Sequence, residues 1–317
     1  MTDTATRTQA APPREARRET TSTPGGRGRG QSLFSVVLLA PTIIGITIFT
    51  VIPIVASVVL AFFRWDIITS PEFVGLDNFA ELGQDPTVRM AFANTIGFVI
   101  VAVTLQLGLS LGLATLLQAR MPGWLRTFFR SAFFFPLILS AASVSLVMSY
   151  LFNDDFGLVN ATLNRLNLPD VAWLTSGAGA ATVVVIVYVW QNFGFTFLLF
   201  VGALSSVPKE ILEASELDGA TGWRRFRTII LPLISPTMLV ASVMAIISAL
   251  QIFDQPYVLT RGGPGDSTRT AVMVIFESAF QRLEFGLASA IGVVLTVLIM
   301  AVTFLQFRLS RRFVFYQ

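Results

Sequence analysis

The sequence predicts an all-α membrane protein with six transmembrane helices. Three observations lead there. Of 317 residues, 54% are hydrophobic and 13% are charged, where soluble domains carry about 25% charged residues. Mean hydropathy is +0.71. The apolar residues also gather into six runs, each long enough to supply the roughly 20 residues that cross a hydrocarbon core. A fold of this size cannot hide so much apolar surface from water, so lipid is the expected solvent.

The chain opens with a tail, residues 1–31, rich in Thr, Pro, Gly and Arg and ending in Gly25-Gly26-Arg27-Gly28-Arg29-Gly30. It has no apolar periodicity and is expected to be disordered. A basic Gly/Arg tail can bind nucleic acid, but six Arg before a first span more simply hold that end in the cytoplasm. No signal peptide is expected, because the apolar run that follows is too long and lacks a small-residue cleavage site. The runs extend from about Leu33 to Phe63, Phe92 to Leu117, Phe128 to Phe152, Ala178 to Leu204, Ile229 to Phe253 and Phe285 to Phe307. Pro41 and Pro53 lie in the first. They either kink it, or Pro41 marks its start.

Charge orients the runs. With the N-terminus inside, the cytoplasmic segments hold Arg7, Arg14, Arg17, Arg18, Arg27, Arg29, Arg120, Arg126, Arg130, Lys209, Arg224, Arg225, Arg227, Arg308, Arg311 and Arg312, which is 16 of the 22 basic residues. The outer loops keep six. The excess of positive charge on one side places both termini in the cytoplasm. The outer loops also hold 12 of the 19 acids, either as a docking surface for a soluble partner or as ordinary solvated loop. The chain has no Cys and no His, which removes disulfides, thiol catalysis and the commonest zinc ligand and general base.

The segment 205–228 joins the fourth and fifth runs. Local physics makes it a short amphipathic helix. Ser206 can cap its start, Pro208 fits the first turn, and Gly219 suits a left-handed end. Ile211, Leu212, Ala214 and Leu217 can form a buried apolar face. A second short helix is expected from about Trp223 to Pro232. A helix lying on lipid headgroups would be basic, whereas this one carries Glu213, Glu216 and Asp218. A protein-docking helix fits better.

Glu213-Ala214-Ser215-Glu216-Leu217-Asp218-Gly219-Ala220, followed by Phe226, Ile229, Leu231-Pro232 and Pro236, resembles the EAA loop of binding-protein-dependent ABC importer permeases. Ser215 stands where the family pattern has Ala, a small-for-small change. Phe73-Val74-Gly75-Leu76-Asp77-Asn78-Phe79, Asn94-Thr95, Phe129-Arg130, Pro136, Trp173-Leu174, Phe253-Asp254-Gln255 and Leu259-Thr260-Arg261-Gly262-Gly263-Pro264-Gly265 extend the likeness over nearly all of the chain after the tail. This set is similar to the carbohydrate-uptake branch, with its maltose, multiple-sugar and glycerol-3-phosphate permeases.

The resemblance implies a type I ABC importer permease fold in the bacterial cytoplasmic membrane. It implies a translocation path shared with a second permease subunit, two cytoplasmic ATPase subunits beneath it, and an extracytoplasmic substrate-binding protein. By the same resemblance, Glu213, Ala214, Ser215, Asp218, Gly219 and Ala220 couple the chain to an ATPase. The chain has no Gly-x-x-x-x-Gly-Lys-Ser/Thr phosphate loop, so ATP belongs to the partner subunits, and no catalytic residue, metal or cofactor is expected here. Nucleic acid is not an expected partner.

Polar residues in spans are rare and face inward. Tyr188, Gln191, Asn192 and Phe195 share one face of the fourth run; Ser248, Gln251 and Asp254 share one face of the fifth. By resemblance these lie near the sugar-contacting positions of the maltose permease. Either they line the path, where amides, hydroxyls and aromatic platforms suit a sugar, or Gln191, Asn192 and Gln251 bind helices together. Gln106 in the second run reads as helix packing. Asp254 and Gln255 can also be an outer gate or docking contact. A secondary transporter would need charged residues at mid-span, and none is present. The expected cargo is an oligo- or disaccharide, with glycerol-3-phosphate or a glycerophosphodiester as the alternative.

Overall fold

The computed structural model describes residues 29–118 and 121–311. Most of the expected tail lies outside these residues. The described chain departs from the expected boundary by three residues, because helix α1 (Arg29–Ile46) starts inside the tail. The chain divides into two compact units, Met1–Pro53 and Ile54–Gln317.

In the first unit Pro41 sits within α1 and marks neither its start nor its end. A π-turn, Thr47–Val51, follows and closes with Ile52 N–H on Thr47 O. Pro53 has no N–H to give, and its ring crowds the preceding turn of a regular helix; the wider turn accommodates both. Helix α2 (Ile52–Leu60) completes the apolar stretch.

The second unit is almost wholly helical. A two-residue ladder pairs β1 (Phe63–Arg64) with β2 (Glu72–Phe73). Helix α3 (Asp77–Gln84) leads to α4 (Pro86–Leu117). Helix α4 begins six residues before the hydropathy run, because Asp85 caps it through Thr87 N–H at 2.7 Å and Pro86 fits its first turn. Helices α5 (Gly123–Ile138) and α6 (Ala141–Leu151) are the third run, broken by 99°. Helix α7 (Leu158–Arg165) lies in the loop before α8 (Gly177–Ser205), the fourth run. Helices α9 (Lys209–Leu217) and α10 (Gly222–Arg225) form the connecting segment. A π-turn (Phe226–Ile230) and α11 (Leu231–Leu233) lead into α12 (Ser235–Leu250) across a 72° bend. Helices α13 (Asp254–Thr260) and α14 (Ala271–Phe276), with a π-turn over Glu277–Gln281, precede the last span, α15 (Phe285–Ser310).

Among the described residues four helices are long and apolar enough to cross a membrane, and up to six spans result if each bent pair counts as one. The third and fifth runs were expected as single helices. Prolines explain the difference. Pro136 lies in the last turn of α5, and Leu139 and Ser140 turn extended. At the second bend Pro232 and Pro236 each remove a backbone donor. Ser235 partly replaces them, its hydroxyl donating to Pro232 O at 2.7 Å. Pro232 also repeats the arrangement at Pro53, following a π-turn that closes with Leu231 N–H on Phe226 O.

Helix α8 is the axis of this unit. Its most apolar window is 67% buried, against 28% for α4 and 33% for α15. Val183, Val184 and Val187 meet Phe98 and Ala102 of α4 and Ala245 of α12. Nearer its end, Phe193, Phe197 and Phe200 pack with Ala114 and Ala241. Polar bonds join α4 to α8: Gln106 Nε2 donates to Asn192 O at 3.2 Å, and Ser110 Oγ donates to Phe193 O at 2.9 Å. Gln106 is thus a packing residue, as expected. Helix α5 approaches α8 so closely that a Cβ on Gly194 would lie 2.2 Å from Phe133 O.

The loops are more ordered than their composition suggests. Asn78 Nδ2 donates to Ala61 O and Phe63 O, both at 2.9 Å. Asp154 accepts from Trp173 N–H at 2.6 Å, Leu174 N–H and Thr175 N–H at 3.1 Å, and the Thr175 hydroxyl. Burial pushes its carboxyl up, but these donors outweigh burial and leave it below the usual carboxylate range. Asn94 Nδ2 donates to Asp266 O and Arg269 O, and Thr95 Oγ1 accepts from Ala271 N–H, fixing the 261–271 segment on α4.

The Gly194 contact yields a prediction. Gly194→Ala should destabilise the full chain by about 1–3 kcal/mol through overpacking. Gly112→Ala is the control, because nothing lies within 4 Å of its added Cβ. Thermal unfolding in detergent checks this; equal midpoints for the two variants would contradict the close approach of α5 and α8.

Candidate functional site

Two places merit the description. The first is the segment between α8 and α10. Ser206 does not cap α9. It ends α8 instead, its hydroxyl donating to Ala203 O at 2.8 Å, and Pro208 occupies the N-cap of α9. The far end of α9 is a Schellman turn. Gly219, at φ 73°, allows Ala220 N–H to reach Ser215 O at 2.8 Å and its own N–H to reach Glu216 O at 3.1 Å. An ion pair between Glu216 and Arg225 ties α9 to α10.

These turns sort the expected coupling residues onto two faces. Ser215 and Ala220 are buried, and the Ser215 hydroxyl donates to Leu212 O. Glu213, Ala214, Asp218 and Gly219 are exposed. The expected apolar face is also divided: Ile211 and Leu212 are half-buried, but Ala214 faces out and Leu217 is 91% exposed. Trp223, 72% exposed and stacked on Phe226 at 5.3 Å, joins Leu217 as a second large apolar group in this segment. Helical spacing alone could not separate these faces, because the closing turn at Gly219 decides which side meets the rest of the chain.

The second place is a cavity of about 250 Å³ where the break between α5 and α6 meets the end of α12. Tyr188, Gln191, Asn192, Ser248, Gln251 and Asp254 all line it, as do Leu139, Phe253 and Gln255. Phe195 does not; it lies further along α8, half-buried. The expected shared face of Ser248, Gln251 and Asp254 has a different origin. Helix α12 ends at Leu250, and Asp254 begins α13, so a break in the helix brings the three together. A larger cavity of about 850 Å³, walled mainly by apolar chains such as Leu111, Phe200 and Met238, offers few groups for a polar ligand.

Gln191 is the hub of the polar cavity. Its Nε2 donates to Leu139 O at 3.1 Å, a carbonyl freed by the break between α5 and α6. Its Oε1 accepts from Gln255 Nε2 at 2.9 Å, just beyond the break between α12 and α13. Both side chains are 5% exposed. The Tyr188 hydroxyl donates to Ser248 Oγ at 3.1 Å, and Asn192 Nδ2 to Tyr188 O at 2.9 Å. Gln251 and Asp254 are exposed to the cavity. Phe253 supplies the aromatic wall expected of Phe195, its ring stacked on Tyr257 at 4.9 Å.

Residues 106–315 match the family described as the binding-protein-dependent transport system inner membrane component. The sulfoquinovosyl glycerol permease SmoG of Agrobacterium fabrum is 34% identical over 284 residues, 89% of this chain and 92% of that one. The multiple sugar-binding transport permease MsmF of Streptococcus mutans is 31% identical, covering 87% and 94%. The sn-glycerol-3-phosphate permease UgpA of Brucella abortus is 32% identical, covering 88% and 95%. Among solved structures, a chain of a bacterial ABC transporter that imports the acidic polysaccharide alginate superposes with a TM-score of 0.80 over 89% of this chain and 96% of that one. At 23% identity that likeness is one of fold.

The hub can be tested by a double-mutant cycle. Gln191→Leu leaves Leu139 O unpaired and should cost about 1–3 kcal/mol of stability. Gln255→Leu should cost less, and the double variant should fall short of the sum by about 1 kcal/mol. Thermal unfolding of the full chain in detergent measures this, and strictly additive losses would show that the two amides do not interact.

Proposed function

The chain belongs to the binding-protein-dependent transport system inner membrane components, and from that membership we propose that it is one of two permease subunits of an ATP-driven importer that moves a sugar across the cytoplasmic membrane. The sugar reading draws support from relatives named for sugar transport and from the cavity, whose amides, hydroxyls and aromatic wall suit a hydroxyl-rich ligand. The remaining partners are a second permease, two cytoplasmic ATPase subunits and an extracytoplasmic binding protein. A bacterial alginate ABC transporter of similar fold has been solved in complex with an alginate pentasaccharide-bound periplasmic protein, which supports the last of these. ATP is held by the ATPase subunits, and this chain carries no catalytic residue.

The observation that carries the coupling role is the outward face between α8 and α10. Leu217 is 91% exposed and Trp223 72% exposed, with Glu213 and Asp218 exposed nearby. Large apolar groups displayed beside charge on a short, capped helix are what a docking cleft takes as anchors. Ser215 and Ala220 act from the other face, where the Ala220 N–H to Ser215 O bond closes the helix. Both termini lie in the cytoplasm on this reading, on the side of the positive charge.

Glu213→Lys and Gly219→Pro should abolish uptake while leaving normal amounts of protein in the membrane. Proline cannot adopt the φ of 73° at Gly219, and lysine reverses the charge on the docking face. Uptake by whole cells, with membrane immunoblots, decides this; unimpaired uptake by both variants would remove the coupling role. A reporter fused after Gln317 should read cytoplasmic, and a reading from the other side would overturn the topology.

A further inference from the structure

Among the described residues the cavity beside the break between α5 and α6 holds one carboxylate, Asp254, and is lined by neither Lys nor Arg. Asp254 is exposed to the cavity, and its carboxylate makes no hydrogen bond or ion pair among the described residues. The nearby cations of the 261–284 segment are engaged or distant. Arg269 pairs with Asp266 at 3.4 Å and Glu277 at 3.6 Å, and Arg282 with Glu284 at 3.6 Å. Arg261 caps the opposite end of α13, about 10 Å from Asp254 at the rise of a helix.

We propose that Asp254 selects cargo by charge, so that the site takes neutral or amine-bearing sugars and turns away sugars carrying phosphate, sulfonate or carboxylate groups. The proposal rests on the sugar-import reading and narrows its substrate class. An anionic sugar entering this cavity would give up water beside a negative charge, with no guanidinium or ammonium in this chain's part of the wall to replace that hydration. A hydroxyl-rich neutral ring meets no such conflict. Gln251 offers both a donor and an acceptor, Ser248 and Tyr188 offer hydroxyls, and Phe253 offers an apolar face. An amine-bearing ring gains an attraction as well. The selectivity is thus built from a repulsive element as much as from contacts.

The chain contains no Cys, so the charge of the cavity can be probed directly. In the complete importer reconstituted in lipid, Gln251→Cys gives one thiol beside Asp254. Its rates with cationic and anionic methanethiosulfonate reagents are normalised to a free thiol and corrected with the importer that keeps Gln251. The cationic reagent should react faster by about tenfold, the scale on which a focused field biases encounter. Asp254→Asn should collapse that preference, and Asp254→Glu should restore it. Equal rates for the two reagents with Asp254 present, or a preference that Asp254→Asn does not change, would overturn the proposal. Tryptophan fluorescence of the cognate binding protein supplies the second arm, with a neutral oligosaccharide, a glucosamine oligomer, an oligouronate and a hexose phosphate as probes. Preference for the neutral or amine-bearing probe supports the proposal. Preference for the oligouronate or the phosphate overturns it and leaves sugar import standing, whereas no response to any probe overturns sugar import itself.

Discussion

A backbone carbonyl freed within a bilayer has no water to bond, and leaving it unpaired costs several kcal/mol. That constraint governs the second unit of this chain. Two of its spans are broken, by 99° and 72°, and a third interruption separates α12 from α13. Each break draws on a polar side chain. Ser235 serves the bend at Ile234. Gln191 serves the break at Leu139 and, through Gln255, holds the start of α13. Polar groups gathered to satisfy broken helices also make a polar cavity, so the architecture and the candidate site have one cause.

The choice between residues that line a path and residues that bind helices therefore dissolves on inspection of individual side chains. Gln191 does both, since it is almost fully buried, doubly bonded and still part of the cavity wall. Tyr188 likewise spends its hydroxyl proton on a bond to Ser248 of α12, whereas Asn192 spends its amide on the main chain of its own helix. Gln251 and Asp254 carry no such duty and stand exposed. Groups already satisfied shape the cavity; groups still open can meet a ligand, because only they offer bonds without breaking others.

Hydropathy made the six spans and their order legible, because twenty apolar residues have few other uses. The breaks were not legible in the same way. Pro136, Pro232 and Pro236 announce lost donors, but the bend angle depends on what packs alongside, as Gly194 against Phe133 illustrates. Helices α3, α7 and α13 were missed because each is eight residues or fewer. Such short helices are held by bonds from Asn78 and Asn160 to main-chain oxygens and from Gln255 to Gln191, not by local propensity. At the cavity, periodicity placed Phe195 on the wall because it shares a face with Gln191, but the cavity ends at Asn192 and α8 runs on past it; periodicity also passed over Phe253, which reaches the cavity only because α12 stops. At α9 the residue types were readable, yet the split between buried Ser215 and exposed Leu217 arises from the Gly219 turn.

The two candidate sites share their supports, and this bears on how force could pass between them on the proposed reading. Helix α8 runs unbroken from Asn192, in the cavity, to Ser205, beside α9, a span of about 20 Å at helical rise. It is the most deeply buried of the four long helices, packed tightly against α4 and α5, so it moves as a rigid element or not at all. The other route from α9 passes through α10, a π-turn and the bend at Ile234 before reaching Ser248 and Gln251. That route contains the places where backbone angles can change at low cost. A displacement of α9 would therefore carry α8 as a lever and be absorbed in the α11–α12 bend, shifting Ser248, Gln251 and Asp254 relative to Gln191. The bond from Gln255 to Gln191 crosses the line along which those two movements diverge, which makes it the first contact in the cavity that such a displacement would strain.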